Sequence, residues 1–210
     1  MKTRPIISTA LAAALAACGS GTPPASPEGD AQLLEAVRAG ARSDAAQDCL
    51  LLLWSAQASP DVDFDRANDV ARGGAISCAT GTTPSEFRAA IDTLRAAAKS
   101  GDQAGLLDAV GFPLLYIDKD GQRRELGEEE VGRMFDEVFD PAVLDALQRL
   151  DLSQITVRNE QGAYFELGSL WLVVDQQGGR PRLVTVNRQA LLEAAKAAKN
   201  RTQTGLGRRL

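Results

Sequence analysis

Apolar and polar positions divide the chain into three regimes. Behind the cationic start Met1-Lys2-Thr3-Arg4 comes a largely apolar stretch, Ile6 to Ala17, and behind that a Gly-, Pro- and Ser-rich stretch, residues 19–29, with little to bury. From Asp30 the spacing becomes helical. Leu33, Leu34 and Val37 share one side, and Ala45 to Ala56 contains the run Leu50-Leu51-Leu52-Leu53-Trp54, which predicts a helix buried on most sides. A third helix is expected from about Phe64 to Arg72, stopped by Gly73-Gly74. Thr80 to Pro84 reads as a turn-rich boundary, after which Ser85-Glu86 opens an amphipathic helix with Phe87, Ile91 and Leu94 on one face. Ser100-Gly101-Asp102 breaks it. A short helix then carries Leu106, Leu107 and Val110, and Gly111-Phe112-Pro113 ends that one.

The third regime has the period of strands. Leu114 to Ile117 reads as a strand, Asp118-Lys119-Asp120-Gly121 turns, and a short return runs through Leu126. Glu128-Glu129-Glu130 favours a helix start, because carboxylates interact with the positive end of the macrodipole. That helix presents Val131, Phe135 and Val138, and Asp140-Pro141 starts another with Val143, Leu144 and Leu147. Three strands are expected next: Ile155 to Arg158, one from about Ala163 through Trp171 to Val174, and Pro181 to Val186. A closing helix, Gln189 to Lys199, leads into a tail, residues 200–210, without apolar periodicity. Helices, one hairpin, further helices and an antiparallel meander describe an α+β domain.

The N-terminal apolar stretch has the length of a secretory h-region and falls short of the roughly 20 residues that span a membrane. It ends in Leu15-Ala16-Ala17-Cys18, which resembles the lipobox of bacterial lipoproteins. The resemblance implies a signal peptide over residues 1–17, cleavage before Cys18, lipid on the Cys18 thiol and amino group, and residues 18–29 as a flexible tether. Gly19, where an Asp would retain the protein in the inner membrane, points to a lipid-anchored place in the outer membrane, facing the periplasm. An Ala-rich signal cut by the ordinary peptidase is the alternative. With Cys18 assigned to lipid, Cys49 and Cys78 remain, and in an oxidising compartment such a pair tends to bond. A Cys49–Cys78 disulfide is expected, worth about 3–4 kcal/mol on the chain-entropy estimate; two separate buried thiols are the alternative.

Charge becomes informative once divided. Loss of Lys2 and Arg4 leaves 21 basic against 28 acidic residues, and the segment from Arg188 holds six of the basic ones against Glu193. Residues 18–187 therefore carry 15 basic and 27 acidic side chains, about −12, which opposes nucleic-acid binding and favours a basic partner. The basic tail is read as a solvated terminus, with contact to anionic lipid or peptidoglycan as the alternative.

A second resemblance covers about half the chain. Phe112-Pro113-Leu114, Phe135-Asp136-Glu137-Val138-Phe139 with Pro141, Gln161-Gly162, Gly168, Trp171 and Val184-Thr185-Val186-Asn187 are similar to the structural motifs of the nuclear transport factor 2-like (ketosteroid isomerase-like) α+β fold. It implies a domain over residues 84–187, preceded by a helical region over 30–83 and followed by a C-terminal helix and basic tail over 188–210. The implied architecture is a curved antiparallel sheet wrapped on helices to form a conical cavity, which in enzymes of that group holds a carboxylate with a tyrosine or histidine. Tyr116, Tyr164 and Trp171 are the candidate lining residues.

Candidate chemistry is narrow because the chain has no histidine. That excludes Ser-His-Asp and Cys-His nucleophile pairs and the common His-containing zinc sites. The carboxylates left for isomerase-like work are Asp118, Asp136 and Glu166. Asp118 and Asp120 are explained as turn residues beside Gly121, Asp136 as an exposed helix position, and Glu166 by strand alternation toward solvent. Asp61-Val62-Asp63-Phe64-Asp65 starts like a calcium loop, but Arg66 and Arg72 stand where glycine and a bidentate glutamate are needed, so a helix cap with spare acids is preferred. Asn200-Arg201-Thr202 fits the glycosylation pattern, but the lipobox resemblance implies a bacterium and the match is read as chance; Gly73-Gly74 and Gly178-Gly179 lack phosphate-loop spacing. The expected function is a non-catalytic lipoprotein, without cofactor or metal, that binds a protein partner, for example an immunity protein or inhibitor neutralising a basic toxin or wall hydrolase. The alternatives are a small-ligand-binding or isomerase-like protein using the cone, and a structural envelope component.

Overall fold

The computed structural model describes residues 48–206, with side chains through Asn200. The expected signal peptide, Cys18, the expected tether, the helix expected to carry Leu33, Leu34 and Val37, and residues 207–210 lie outside the described residues. The architecture is α+β. A helical layer of α1 (48–55), α2 (Val62–Asn68) and α3 (Ile76–Thr80), with a two-residue hairpin of β1 (Val70–Ala71) and β2 (Gly74–Ala75), precedes the long helix α4 (Pro84–Ser100). The disulfide Cys49–Cys78 joins α1 to α3, with Cα atoms 5.3 Å apart.

Three expectations for this layer are corrected. Helix α1 buries one side only: Leu50 and Leu53 are 2% exposed, whereas Leu51 and Leu52 are 56% and 59% exposed. Consecutive residues step round a helix, so four leucines in a row cannot all face one core. Helix α2 ends at Asn68, short of Gly73, because Asp69 leaves it to start α3: its carbonyl accepts the Ile76 N–H (2.8 Å) and its carboxylate accepts the N–H and hydroxyl of Ser77 (2.7 and 2.6 Å). Gly73, at φ +102°, turns the β1–β2 hairpin instead of closing a helix, and a Cβ there would lie 2.2 Å from the Val157 carbonyl oxygen. The helix cap expected in 61–65 is present, but Asp65 is not a spare acid. Asp61 caps α2 (Phe64 N–H, 3.4 Å), and Asp65, fully buried, accepts the Trp54 indole N–H and the Ser85 N–H, both at 2.8 Å, so it ties α1, α2 and α4 together.

Helix α4 is capped by Thr83 with Pro84 in its first turn, one step earlier than Ser85, and buries Phe87, Ile91 and Leu94. Gly101 ends it and Asp102 caps α5 (Gln103–Asp108). The sheet follows: β3 (Val110–Ile117), β4 (Arg123–Leu126), then α6 (Glu128–Arg133), α7 (Phe135–Val138) and α8 (Pro141–Gln148), then β5 (Thr156–Arg158), β6 (Gly162–Phe165), β7 (Leu170–Val173), β8 (Arg182–Asn187) and the helix α9 (Arg188–Leu206). The six strands lie in the order β4-β3-β8-β7-β6-β5, antiparallel except for the pair β3 and β8.

Strand β3 begins at Val110, not after Pro113. Its partner is β8, and the register shifts between Val110 and Leu115, a bulge that tolerates Pro113, which has no N–H to give to a ladder. The Phe112–Pro113 peptide bond is cis. The helix expected from Glu128 through Val138 is interrupted at Met134, and α9 runs on past Lys199 into the expected tail. The single strand expected from Ala163 to Val174 is a hairpin. Glu166, Leu167 and Gly168, with φ of +42°, +60° and +85°, turn the chain, and the Ser169 N–H closes the turn on the Phe165 carbonyl (3.1 Å).

Strand pairing sorts the side chains into two faces. The cross-strand row Phe165, Leu170, Val186, Tyr116 lies on the inner face, in one buried core with side chains of α4 and α8. The next row, Thr156, Tyr164, Trp171, Thr185, Leu115, lies on the opposite, outer face. Each fully buried inner side chain such as Leu172 or Phe165 stabilises the fold by roughly 1.5–3 kcal/mol.

Candidate functional site

Parity alone separates the three candidate aromatic residues. Tyr116 belongs to the inner face, is 1% exposed, and donates its hydroxyl hydrogen bond to the Glu137 carbonyl (3.4 Å). Burial is the main reason its phenol is pushed above the ordinary value, opposed by the nearby Arg188 guanidinium. Arg188, itself buried, donates to the same Glu137 carbonyl (3.1 Å) and pairs with Asp140, whose other oxygen caps α8 through the Ala142 and Val143 N–H groups (both 3.1 Å). Arg124 stacks over the Tyr116 ring at 5.3 Å and bonds Glu137 at 2.8 Å. This network closes one end of the packed interior, and Tyr116 does not share a cavity with Tyr164 and Trp171.

Tyr164 and Trp171 are brought together on the outer face. Their rings stack with centroids 4.8 Å apart at 30°, paired across β6 and β7 by the ladder itself. They line an open groove of about 860 Å³ between the sheet and α9. Leu191, Ala194, Ala195 and Ala198 form its helical wall, small side chains at helical spacing that leave room over the aromatic floor. The wall is fixed at its start: the Asn187 carboxamide accepts the Ala190 N–H (3.0 Å), the Asn187 N–H bonds the Ser169 carbonyl (2.7 Å), and Arg188 anchors the first turn as above. The opposite rim carries Arg72, Arg149 and Arg158, with Glu166 as the one carboxylate lining the groove among the described residues.

Three guanidinium groups, an aromatic stack and a small apolar wall suit a ligand with acidic groups and a flat or aliphatic body. Arg149 pairs with Asp145 and lies 3.5 Å from Glu166; the hydrogen bond to Asp145 is the main cause raising its already high pKa. The Trp171 indole N–H has no acceptor among the described residues.

The remaining candidates lie elsewhere. Asp118 holds its own turn by accepting the Asp120 and Gln122 N–H groups (both 2.9 Å), and Asp136 is exposed on α7. Glu166 is in the β6–β7 turn, not on a strand. Cys18 lies outside the described residues, and Cys49 and Cys78 are bonded to each other, away from the groove. Arg72, Arg149 and Arg158 were not singled out by the sequence, since they come from the β1–β2 hairpin, the end of α8 and an edge strand. The signal within reach was Gly168 between two aromatic residues whose positions pair across a hairpin. Comparison with known protein families, with curated proteins and with solved structures found no match.

Proposed function

We propose that this chain is a lipid-anchored, non-catalytic binding protein of nuclear transport factor 2-like architecture, which docks a protein partner on the outer face of its sheet. The observation that carries it is the groove. Trp, Tyr and Arg are the residues most enriched at the energetic centres of protein interfaces, and Trp171, Tyr164, Arg72, Arg149 and Arg158 meet in one concave surface beside a fixed helix. The architectural assignment is supported by the strand order, in which the β3–β4 hairpin joins the antiparallel β5–β8 meander through the parallel pair β3 and β8. Anchoring through Cys18 rests on the lipobox, and it would hold the body in the periplasm at the outer membrane. In its specific form the protein is an immunity protein or inhibitor that neutralises a toxin or wall hydrolase, toward which the acidic surface steers a basic partner.

The isomerase-like alternative has less support, because Tyr116 is buried and its hydroxyl is committed to a backbone carbonyl. Capture of the native complex from solubilised envelopes tests the proposal. A protein recovered by the wild-type chain and lost with Trp171→Ala and Tyr164→Ala is the expected result; recovery of no protein at several salt concentrations overturns it. Loss of acyl label in Cys18→Ser tests the anchor separately.

A further inference from the structure

The net charge of the chain misdescribes its groove. In a body of about −12, three arginines face one carboxylate, and that carboxylate is already engaged by Arg149. Arg72 and Arg158 are exposed and have no side-chain partner among the described residues. Main-chain pairing puts them there: the Arg72 carbonyl accepts the Val157 N–H at 2.8 Å, and Arg72 bridges Thr156 on the same edge strand that carries Arg158. The fold thus sets two unneutralised guanidinium groups on one rim, where they raise the local concentration of anions.

The β6–β7 turn supplies an apolar contact. Glu166 and Leu167 both adopt positive φ, a conformation that costs non-glycine residues and persists only where the surroundings impose it. The turn leaves Leu167 68% exposed at the lip of the groove that Trp171 also lines, and the Trp171 indole N–H has no acceptor among the described residues. Gly168 follows at φ +85°, a conformation that favours glycine, and a Cβ on it would stand 3.3 Å from Trp171 Nε1.

We propose that this groove takes an acidic peptide segment of the partner, whatever that partner's net charge. Its carboxylates pair with Arg72 and Arg158, an aliphatic or aromatic side chain packs on Trp171 and Leu167, and a main-chain carbonyl accepts the Trp171 indole N–H. The proposal rests on reading the chain as a protein-binding module and adds the chemistry of what it binds.

The test uses the intact, ¹⁵N-labelled chain and three synthetic decapeptides in which Leu alternates with Glu, Gln or Lys. The two tryptophans give two indole resonances, assigned with Trp171→Phe. The Trp54 resonance, held by Asp65, serves as a control for folding. The Glu peptide is expected to shift the Trp171 resonance and leave that of Trp54 in place. It should bind about ten-fold more tightly than the Gln peptide, and about ten-fold more weakly to the Arg72→Glu/Arg158→Glu variant, with the difference shrinking as salt rises. Equal binding of the Glu and Gln peptides, or binding that leaves Trp171 unmoved, overturns the proposal. Preference for the Lys peptide with no effect of the arginine changes overturns it too, while leaving protein binding elsewhere on the acidic surface intact. Indole-3-acetate binding as tightly as the Glu peptide overturns it in favour of a small carboxylate ligand. The docking function itself fails only if envelope capture returns no protein.

Discussion

Neighbouring residues of the same two strands serve opposite purposes on the two faces of the sheet. Phe165 and Leu170 point inward and are 1% exposed, while Tyr164 and Trp171, one position away, stack in the open groove. The inner face is sealed by apolar packing and, at one end, by the Tyr116, Arg188 and Asp140 network, so its polar groups are used up within the fold. On the outer face the Arg72 and Arg158 guanidinium groups and the Trp171 indole N–H have no side-chain partner among the described residues. A one-residue change of register would exchange the two sets, so the β6–β7 turn decides which aromatic residues stabilise and which recognise.

The largest expected effect separates the faces by energy. Phe165→Ala should destabilise by about 3–5 kcal/mol, through lost burial and the cavity left behind, whereas Trp171→Ala should cost roughly 1 kcal/mol or less. Equal shifts of the two denaturation midpoints would break the distinction. Arg188→Ala comes next, at about 3 kcal/mol, because it leaves Asp140 without its buried counter-charge at the start of both α8 and α9. If calorimetry finds that variant as stable as the wild type, the network is not what closes the inner face.

Smaller still is a difference in titration. In a Tyr164→Phe background the Tyr116 phenol should deprotonate above the ordinary value of 10.0, followed by absorbance at alkaline pH. Its native pKa is raised above the unfolded one, so the native state holds the proton longer. Stability from this group is therefore full below pH 10 and falls as pH rises from there through the native pKa. Asp69 has the same sign at lower pH. Burial, its largest influence, raises its pKa despite the Ser77 hydrogen bonds, so its contribution weakens as pH rises through the raised value, and Asp69→Asn should flatten that slope in pH-dependent melting curves.

Much of the fold was legible in the chain. Helix α4 with Phe87, Ile91 and Leu94, the Asp140-Pro141 start of α8, the β3–β4 hairpin and the last strand all carry local signals that agree with their packing. The misses share a cause: a tertiary partner overrode the local pattern. Leu167 in a left-handed conformation hides a turn inside an apolar run, and Asp69 ends α2 for the sake of Ser77. Pro113 looks like a stop but lies at a bulge inside β3. Cys49 and Cys78 were found by elimination, since no spacing rule pairs them. The groove was legible only in its floor, because alternation places Tyr164 and Trp171 but nothing local connects Arg72, Arg149 and Arg158 to them.

The bond from the Val157 N–H to the Arg72 carbonyl bears on how this chain avoids sticking to itself. Strand β5 ends the sheet, and an uncovered edge is a template on which another chain adds a strand and aggregation begins. The turn at Gly73 lays the chain along that edge so closely that no side chain fits, while the opposite edge, β4, is guarded by the charged Arg123, Arg124 and Glu125. The residues ahead of α4 therefore act as a selvedge. Trimming them away to obtain a minimal sheet-and-helix body would leave it prone to fibrous self-association.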